Sequence, residues 1–243
     1  MQTITSLMAL ALILPSVLHA ETGAWTSSGP IADGINIGSS AFAFETTTPT
    51  IAYAAGYPGV WKTTDGGVSW VSASTGITNS TVESIAIDPT NSNVVYAGSY
   101  GVFKSTDAGT SWSDVSDSFG YYKHFVSALA IDPVSPTTVY AGLGGGIGVW
   151  KTTDGGSTWL NVNHWGDSNG LVPATIKALA IDPSAHLTIY AATELNGLWK
   201  STDGGTNWAT AGLASEGVYA VAIDPAKHAI IYTAGQPSLR ATD

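Results

Sequence analysis

Side chains able to hold a ligand concentrate in two stretches, Ser116 to His124 (SDSFGYYKH) and Val162 to Gly170 (VNHWGDSNG). Tyr121, Tyr122, His124, His164 and Trp165 offer flat rings, and Asp117 and Asp167 place hydrogen-bond acceptors beside them. Stacking platforms with polar neighbours suit a sugar or a peptide, each of which presents an apolar face and a set of hydrogen-bonding groups. The plainer alternative is that these rings only pack their own loops.

Other chemistry is poorly supported. His124 and His164 have no companion at metal-ligand spacing, so no metal site is expected. His186 and His228 fall in short turns and read as solvated. The run Gly142 to Gly148 (GLGGGIG) joins two strand-like segments and opens no helix, so it reads as a turn and not as a phosphate cradle. No cofactor is expected.

What must position the loops is an internal repeat. A turn is written four times: TTDGGVSW from Thr63, STDAGTSW from Ser105, TTDGGSTW from Thr152 and STDGGTNW from Ser201. Its structural residues are Asp65 and Trp70, Asp107 and Trp112, Asp154 and Trp159, and Asp203 and Trp208. The spacing is that of a tight hairpin, with the carboxylate folded onto backbone N–H groups, glycines accepting positive φ and Trp covering the turn. A carboxylate among glycines falls far short of the six or more oxygens that calcium takes.

A second motif interleaves with the first: AFAFE from Ala41, SIAID from Ser84, ALAID from Ala128, ALAID from Ala178 and AVAID from Ala220. From its acid to the following Tyr the count is eight in all five copies. Successive turn aspartates, counting Asp243 as a fifth, lie 42, 47, 49 and 40 residues apart, the length of a four-stranded blade. In the second unit the strands are expected at Ser84–Ile87, Val94–Gly98, Gly101–Lys104 and Thr110–Val115. The first of these alternates small and large side chains, which lets neighbouring blades interlock without water. A basic residue ends the third strand of every unit (Lys62, Lys104, Lys151, Lys200, Arg240) and is expected to meet an acid or carbonyl at the blade edge.

The turns divide by length. From the repeat Tyr to the next Asp the count is 12, 11, 14, 13 and 11, and from Trp to the next acid it is 18, 20, 23 and 16, while the other two turns hardly change. An up-and-down blade puts the constant pair on one rim and the variable pair on the other. The variable rim then carries Tyr57, Tyr100, both aromatic stretches, Glu194 and Glu216, and is where a ligand is expected.

The pattern S/T-x-D-[GA]-G-x-x-W resembles the Asp-box (BNR) repeat of sialidases, family 74 xyloglucanases, sortilin-type receptors and photosystem II assembly factors. The resemblance implies an all-β propeller of four-stranded Asp-box blades far more firmly than it implies an activity. Sialidases hold the substrate carboxylate with three arginines, whereas Arg240 is the only arginine here, so that activity is not expected. Family 74 enzymes carry Y-A-x-T followed by an acid, which Thr193-Glu194 fits and Gly56-Tyr57 in the first unit does not. Such enzymes also need a second carboxylate across the scissile bond. The assembly-factor family brings an arginine-rich patch that this chain does not match.

Composition agrees with an all-β chain: 28 glycines, nine tryptophans and only 11% charged residues in 243. Residues 1–20 read as a secretory signal, with an apolar run from Leu7 to Leu14 and a break at Pro15, and are too short to span a membrane. Residues 21–243 are then the propeller, either five blades closed by a fourth strand from Ala24 to Ser27 or part of a larger propeller. The net charge of -10 and the scattered basic residues argue against nucleic acid. The expectation is a secreted or periplasmic binding module for a glycan or protein on the variable rim. A glycoside hydrolase using Glu194 is the alternative.

Overall fold

The computed structural model describes residues 41–162, 171, 174–214, 216–236 and 240–242. Within them the chain forms five antiparallel up-and-down sheets, one per repeat. Blade 1 is β1 (Ala41–Phe44), β2 (Ala52–Gly56), β3 (Gly59–Thr63) and β4 (Val71–Ser72). Blade 2 is β5 (Ser84–Ile87), β6 (Val95–Ser99), β7 (Gly101–Ser105) and β8 (Ser113–Asp114), and blade 3 is β9 (Val126–Ile131), β10 (Val139–Leu143), β11 (Gly148–Thr152) and β12 (Leu160–Asn161). Blade 4 is β13 (Ile176–Ile181), β14 (Ile189–Thr193), β15 (Leu198–Ser201) and β16 (Ala209–Gly212). Blade 5 shows three strands among the described residues, β17 (Gly217–Ile223), β18 (Ile231–Gln236) and β19 (Arg240–Thr242). The architecture is that of a β-propeller. The expected leader, the closing strand at 24–27 and Asp243 lie outside the described residues.

First strands touch in series, β1 with β5, β5 with β9, β9 with β13 and β13 with β17. The apolar core is accordingly divided into four parts, each between two consecutive blades. Between blades 1 and 2, for example, Tyr53 and Val60 pack with Val95, Phe103 and Trp112. Second strands of blades 1 to 4 are wholly buried, whereas the small-large first strands are only half-buried along much of their length. Partial exposure falls on both alternating sets, on Ala86 and Ile87 and on Ala130 and Ile131, contrary to the expectation of two dry faces.

The fourth strands are shorter than expected, two residues in blade 2 where six were anticipated. The Asp turn takes the difference. Asp107 Oδ1 accepts the backbone N–H of Ser111 at 2.8 Å and the Ser105 hydroxyl at 2.8 Å, while Oδ2 accepts the Ser111 hydroxyl at 2.6 Å. Ser105 Oγ in turn accepts the N–H of Gly109 at 2.8 Å. Asp65, Asp154 and Asp203 make the same set of bonds, so residues up to the Trp stay folded into the turn and cannot join the ladder. Gly109, at φ +82°, allows the turn to close, and a Cβ there would meet the Tyr53 ring at 2.8 Å.

That close approach reflects how blades are joined. Tyr53 OH and Lys62 Nζ both donate to the Ala108 carbonyl of the next blade's turn, each at 2.8 Å. Tyr96 and Lys104 do the same to the Gly155 carbonyl, at 3.1 and 2.8 Å, and Tyr140 and Lys151 to the Gly204 carbonyl, at 3.0 and 2.9 Å. Each ammonium also lies 5.2 to 5.4 Å over its Tyr ring, within cation–π reach. Burial pushes the Tyr53 and Tyr96 phenols up to about 12, which keeps them protonated as donors. Lys62, Lys104 and Lys151 therefore meet a carbonyl, as expected, and it belongs to the following blade.

The Trp of each turn reaches the other way. Trp112 Nε1 donates to the Ala73 carbonyl at 2.8 Å, Trp159 Nε1 to Val115 at 2.8 Å and Trp208 Nε1 to Val162 at 3.0 Å. Trp70, in the first blade, is only half-buried and meets Phe42 edge-on at 6.4 Å. Two histidines read as solvated also join blades: His186 Nδ1 lies 2.8 Å from Oδ2 of the buried Asp132. His228 Nδ1 lies 3.2 Å from Asp182 Oδ1, off hydrogen-bonding alignment. Each sits four residues after its own blade's acid, a spacing that carries it across to the preceding blade's acid.

Two outcomes are expected. Trp112→Ala, which opens a cavity and orphans the Ala73 carbonyl, costs roughly 3 to 5 kcal/mol in denaturant unfolding. The turn carboxylates of Asp65, Asp107 and Asp154 are held down at about 2, first by the hydroxyl four residues on, then by that residue's N–H and the Ser or Thr two before. A depressed carboxyl contributes stability above its ordinary value of 3.8 and loses it as pH falls through about 2. Carbon-detected NMR titration of Asp107 should show this, with Ser111→Ala moving the midpoint back toward 3.8.

Candidate functional site

The meander order places the Asp turns and the first-to-second-strand turns on one rim and the remaining connections on the other. On the second rim the residues 115–125 between blades 2 and 3 form a short 3-10 segment, Asp117–Tyr122, and are otherwise outside helix and ladder strands. Asp114 Oδ1 accepts the backbone N–H of Ser116 at 2.9 Å, and the Ser116 carbonyl accepts that of Phe119 at 3.0 Å. Gly120 turns the chain with φ +55°. Phe119 is the anchor, buried 4.8 Å from the Trp150 ring and 5.5 Å from the Trp159 ring. Ser118 Oγ accepts the backbone N–H of Trp159 at 2.9 Å, tying the segment to the next blade's turn.

With Phe119 turned inward, the two following tyrosines stand outside. Tyr121 is fully exposed and Tyr122 is 59% exposed. The Tyr122 ring lies 6.1 Å from that of Trp150 at an interplanar angle of 43°. A cavity of about 330 Å³ opens there, walled by Tyr122, Ile147, Trp150 and Asn161. Asn161 Nδ2 lies 3.3 Å from the Ile147 carbonyl, and the buried Trp150 Nε1 has no acceptor among the described residues. Lys123 and Asp114 form an ion pair, Nζ lying 2.5 Å from Oδ2. Asp114 is held below the ordinary carboxyl value, burial opposing the shift and the bonds from Lys123 and Ser116 outweighing it.

His124 is packed and not presented. Its ring lies 6.2 Å from both Tyr100 and Phe125, and Gly144 and Gly145 of blade 3 leave the room it occupies. The Gly142–Gly148 run is indeed the turn between β10 and β11. Glu194 lies elsewhere on the rim, at blades 4 and 5, with Oε1 3.3 Å from Lys177 Nζ, which itself sits 6.0 Å from the Tyr219 ring. Tyr122 and Glu194 are thus in separate places. His164, Trp165 and Asp167 lie outside the described residues.

Trp150, Ile147 and Asn161 were not singled out from sequence. Trp150 stands in the GVWK strand motif, in register with Trp61, Phe103 and Trp199, and there it reads as core. Only the inward turn of Phe119 shows that one edge of that core is shared with a cavity. Among the described residues no group of three or more His, Asp or Glu side chains is placed to hold a metal ion.

The comparisons agree with the architecture. An ancestral GH74 enzyme superposes with a TM-score of 0.67 at 24% identity, over 81% of this chain and 27% of that one. The GH74 xyloglucanase of Xanthomonas campestris gives 0.55 at 17% identity, over 90% of this chain and 46% of that one. The extracellular domain of a one-component system from B. thetaiotaomicron gives 0.63 at 16% identity, over 83% and 27%. The chain therefore spans between about a quarter and a half of the length of these proteins, and at such identities the likeness is one of fold. No protein-family profile matches the sequence, and no curated protein sequence does. Together with the five sheets they define a β-propeller.

If Phe119 holds the tyrosines in place, Phe119→Ala should cost about 3 kcal/mol or more and raise hydrogen exchange selectively over residues 117–124. Unchanged exchange there would show that the segment is held by other contacts.

Proposed function

We propose that the chain is a secreted or periplasmic Asp-box propeller, preceded by a signal over residues 1–20, that binds a glycan on its variable rim without cleaving it. The observation that carries this reading is the pair Tyr121 and Tyr122. One aromatic of the segment is spent on packing, Phe119, and it holds the other two outward on a short, hydrogen-bonded support. Ordered exposed rings beside uncharged polar groups suit the apolar face of a neutral sugar, which loses few hydrogen bonds on stacking. The fold shared with GH74 enzymes fits a glycan-related role. No catalytic residue is assigned. The neighbour given to Glu194 is an ammonium at 3.3 Å, the arrangement of an ion pair, whereas glycoside hydrolysis asks for a second carboxyl about 5 to 9.5 Å away.

A glycan array with the purified chain is the test. Binding to a neutral glycan without release of reducing ends is expected, and Tyr121→Ala combined with Trp165→Ala should weaken it roughly tenfold or more. Hydrolysis abolished by Glu194→Gln would replace this reading with that of a glycosidase. Capture of a protein in place of any glycan would make the rim a protein-docking surface.

A further inference from the structure

We infer that the cavity between blades 2 and 3, walled by Tyr122, Ile147, Trp150 and Asn161, is a binding site for a single neutral pyranose unit. The inference rests on the glycan reading above and adds a place, a size and a chemistry to it. At about 330 Å³ the cavity falls at the lower end of the range for small-molecule sites, enough for one sugar ring and too small for a folded partner.

Its walls divide the work. The Tyr122 ring, 59% exposed, leans on Trp150 at 6.1 Å and 43°, and its open face is a platform on which a pyranose can lay its C–H face beside the Trp150 edge. Ile147 adds an aliphatic wall, and Asn161 brings an amide that can both donate to and accept from ring hydroxyls. Trp150 is only 6% exposed, so its position is set by the core and not by the ligand. The platform is preorganised through Phe119, which touches Trp150 and Trp159 and fixes the backbone three residues before Tyr122.

Charge decides the class of sugar. The adjacent cation, Lys123, is engaged with Asp114 at 2.5 Å, and among the described residues the cavity wall carries no basic side chain to receive a sugar acid, a sulfate or a phosphate. The chain's net charge of -10 opposes anionic glycans further.

The experiment follows the indole N–H resonances of the full chain by NMR, with Trp150 assigned from Trp150→Phe, while cellotetraose, xylotetraose, mannotetraose and chitotetraose are added in turn. A shift of the Trp150 indole by one of them, with affinity about tenfold weaker in Tyr122→Ala, supports the inference. Tyr122 is largely exposed, so that variant should keep its melting temperature. An oligosaccharide that binds while the Trp150 signal and the Tyr122→Ala affinity stay unchanged overturns this cavity but leaves glycan binding elsewhere on the rim. Binding by none of the four overturns the cavity as a neutral-sugar site. If the glycan array is blank as well, the wider reading falls with it. A Trp150 shift produced instead by a proline-rich peptide would make the platform a peptide site and overturn the sugar assignment.

Discussion

In three of the four Asp turns one backbone carbonyl receives two donors from the blade before it, a buried phenol and an ammonium lying over the same ring. At Ala108, Gly155 and Gly204 this fork converts a local hairpin into the joint between blades. Both lone pairs of the oxygen are used, and the lysine is partly buried yet compensated by the carbonyl and the ring face. At the first joint the turn must be tight, since the Tyr53 ring occupies the space that a side chain on Gly109 would fill. The indole of the same turn then reaches back to the preceding blade, so each turn is held by donors arriving and leaving. Stability in such an arrangement is nearest-neighbour coupling, as in other repeat architectures.

This joint also explains why the two rims differ. The Asp turns and the acid turns beside the first strands carry the contacts between blades, including the approach of His186 to Asp132, and their lengths cannot drift without breaking register. The opposite connections bear less of that burden and are free to grow. The connection of residues 115–125 buries one aromatic and exposes two. A rigid scaffold with one constant rim thus supplies the stiffness that a loop needs to hold rings in the open, where an unsupported loop would let them collapse onto the surface.

The site that emerges is electrically quiet inside a strongly acidic chain. Carboxylates of the Asp turns are absorbed by hydroxyls and N–H groups, Asp114 by Lys123, and Glu194 by Lys177. In the proposed reading the aromatic rings beside Asp114 act by shape and stacking.

Periodicity alone determined most of the scaffold. Five acid-to-Tyr intervals of equal length and four copies of the Asp turn placed the blades, the first three strands of the second to within about a residue, and the separation of constant from variable connections. Such features are local or recur at fixed spacing, so they survive as patterns in one dimension. Fourth strands were overextended because the competing hydrogen bonds of the turn leave no mark in a strand pattern. Partners across blades were illegible for a different reason: the carbonyl that receives Tyr96 and Lys104 belongs to Gly155, 59 and 51 residues away, and no residue type advertises a carbonyl. Tertiary structure likewise decided that Phe119 turns inward, that His124 is packed, and that Trp150, identical in pattern to its core counterparts, borders a cavity. Whether a ring is buried or offered depends on which neighbour fills the space above it, and that is settled only when two blades meet.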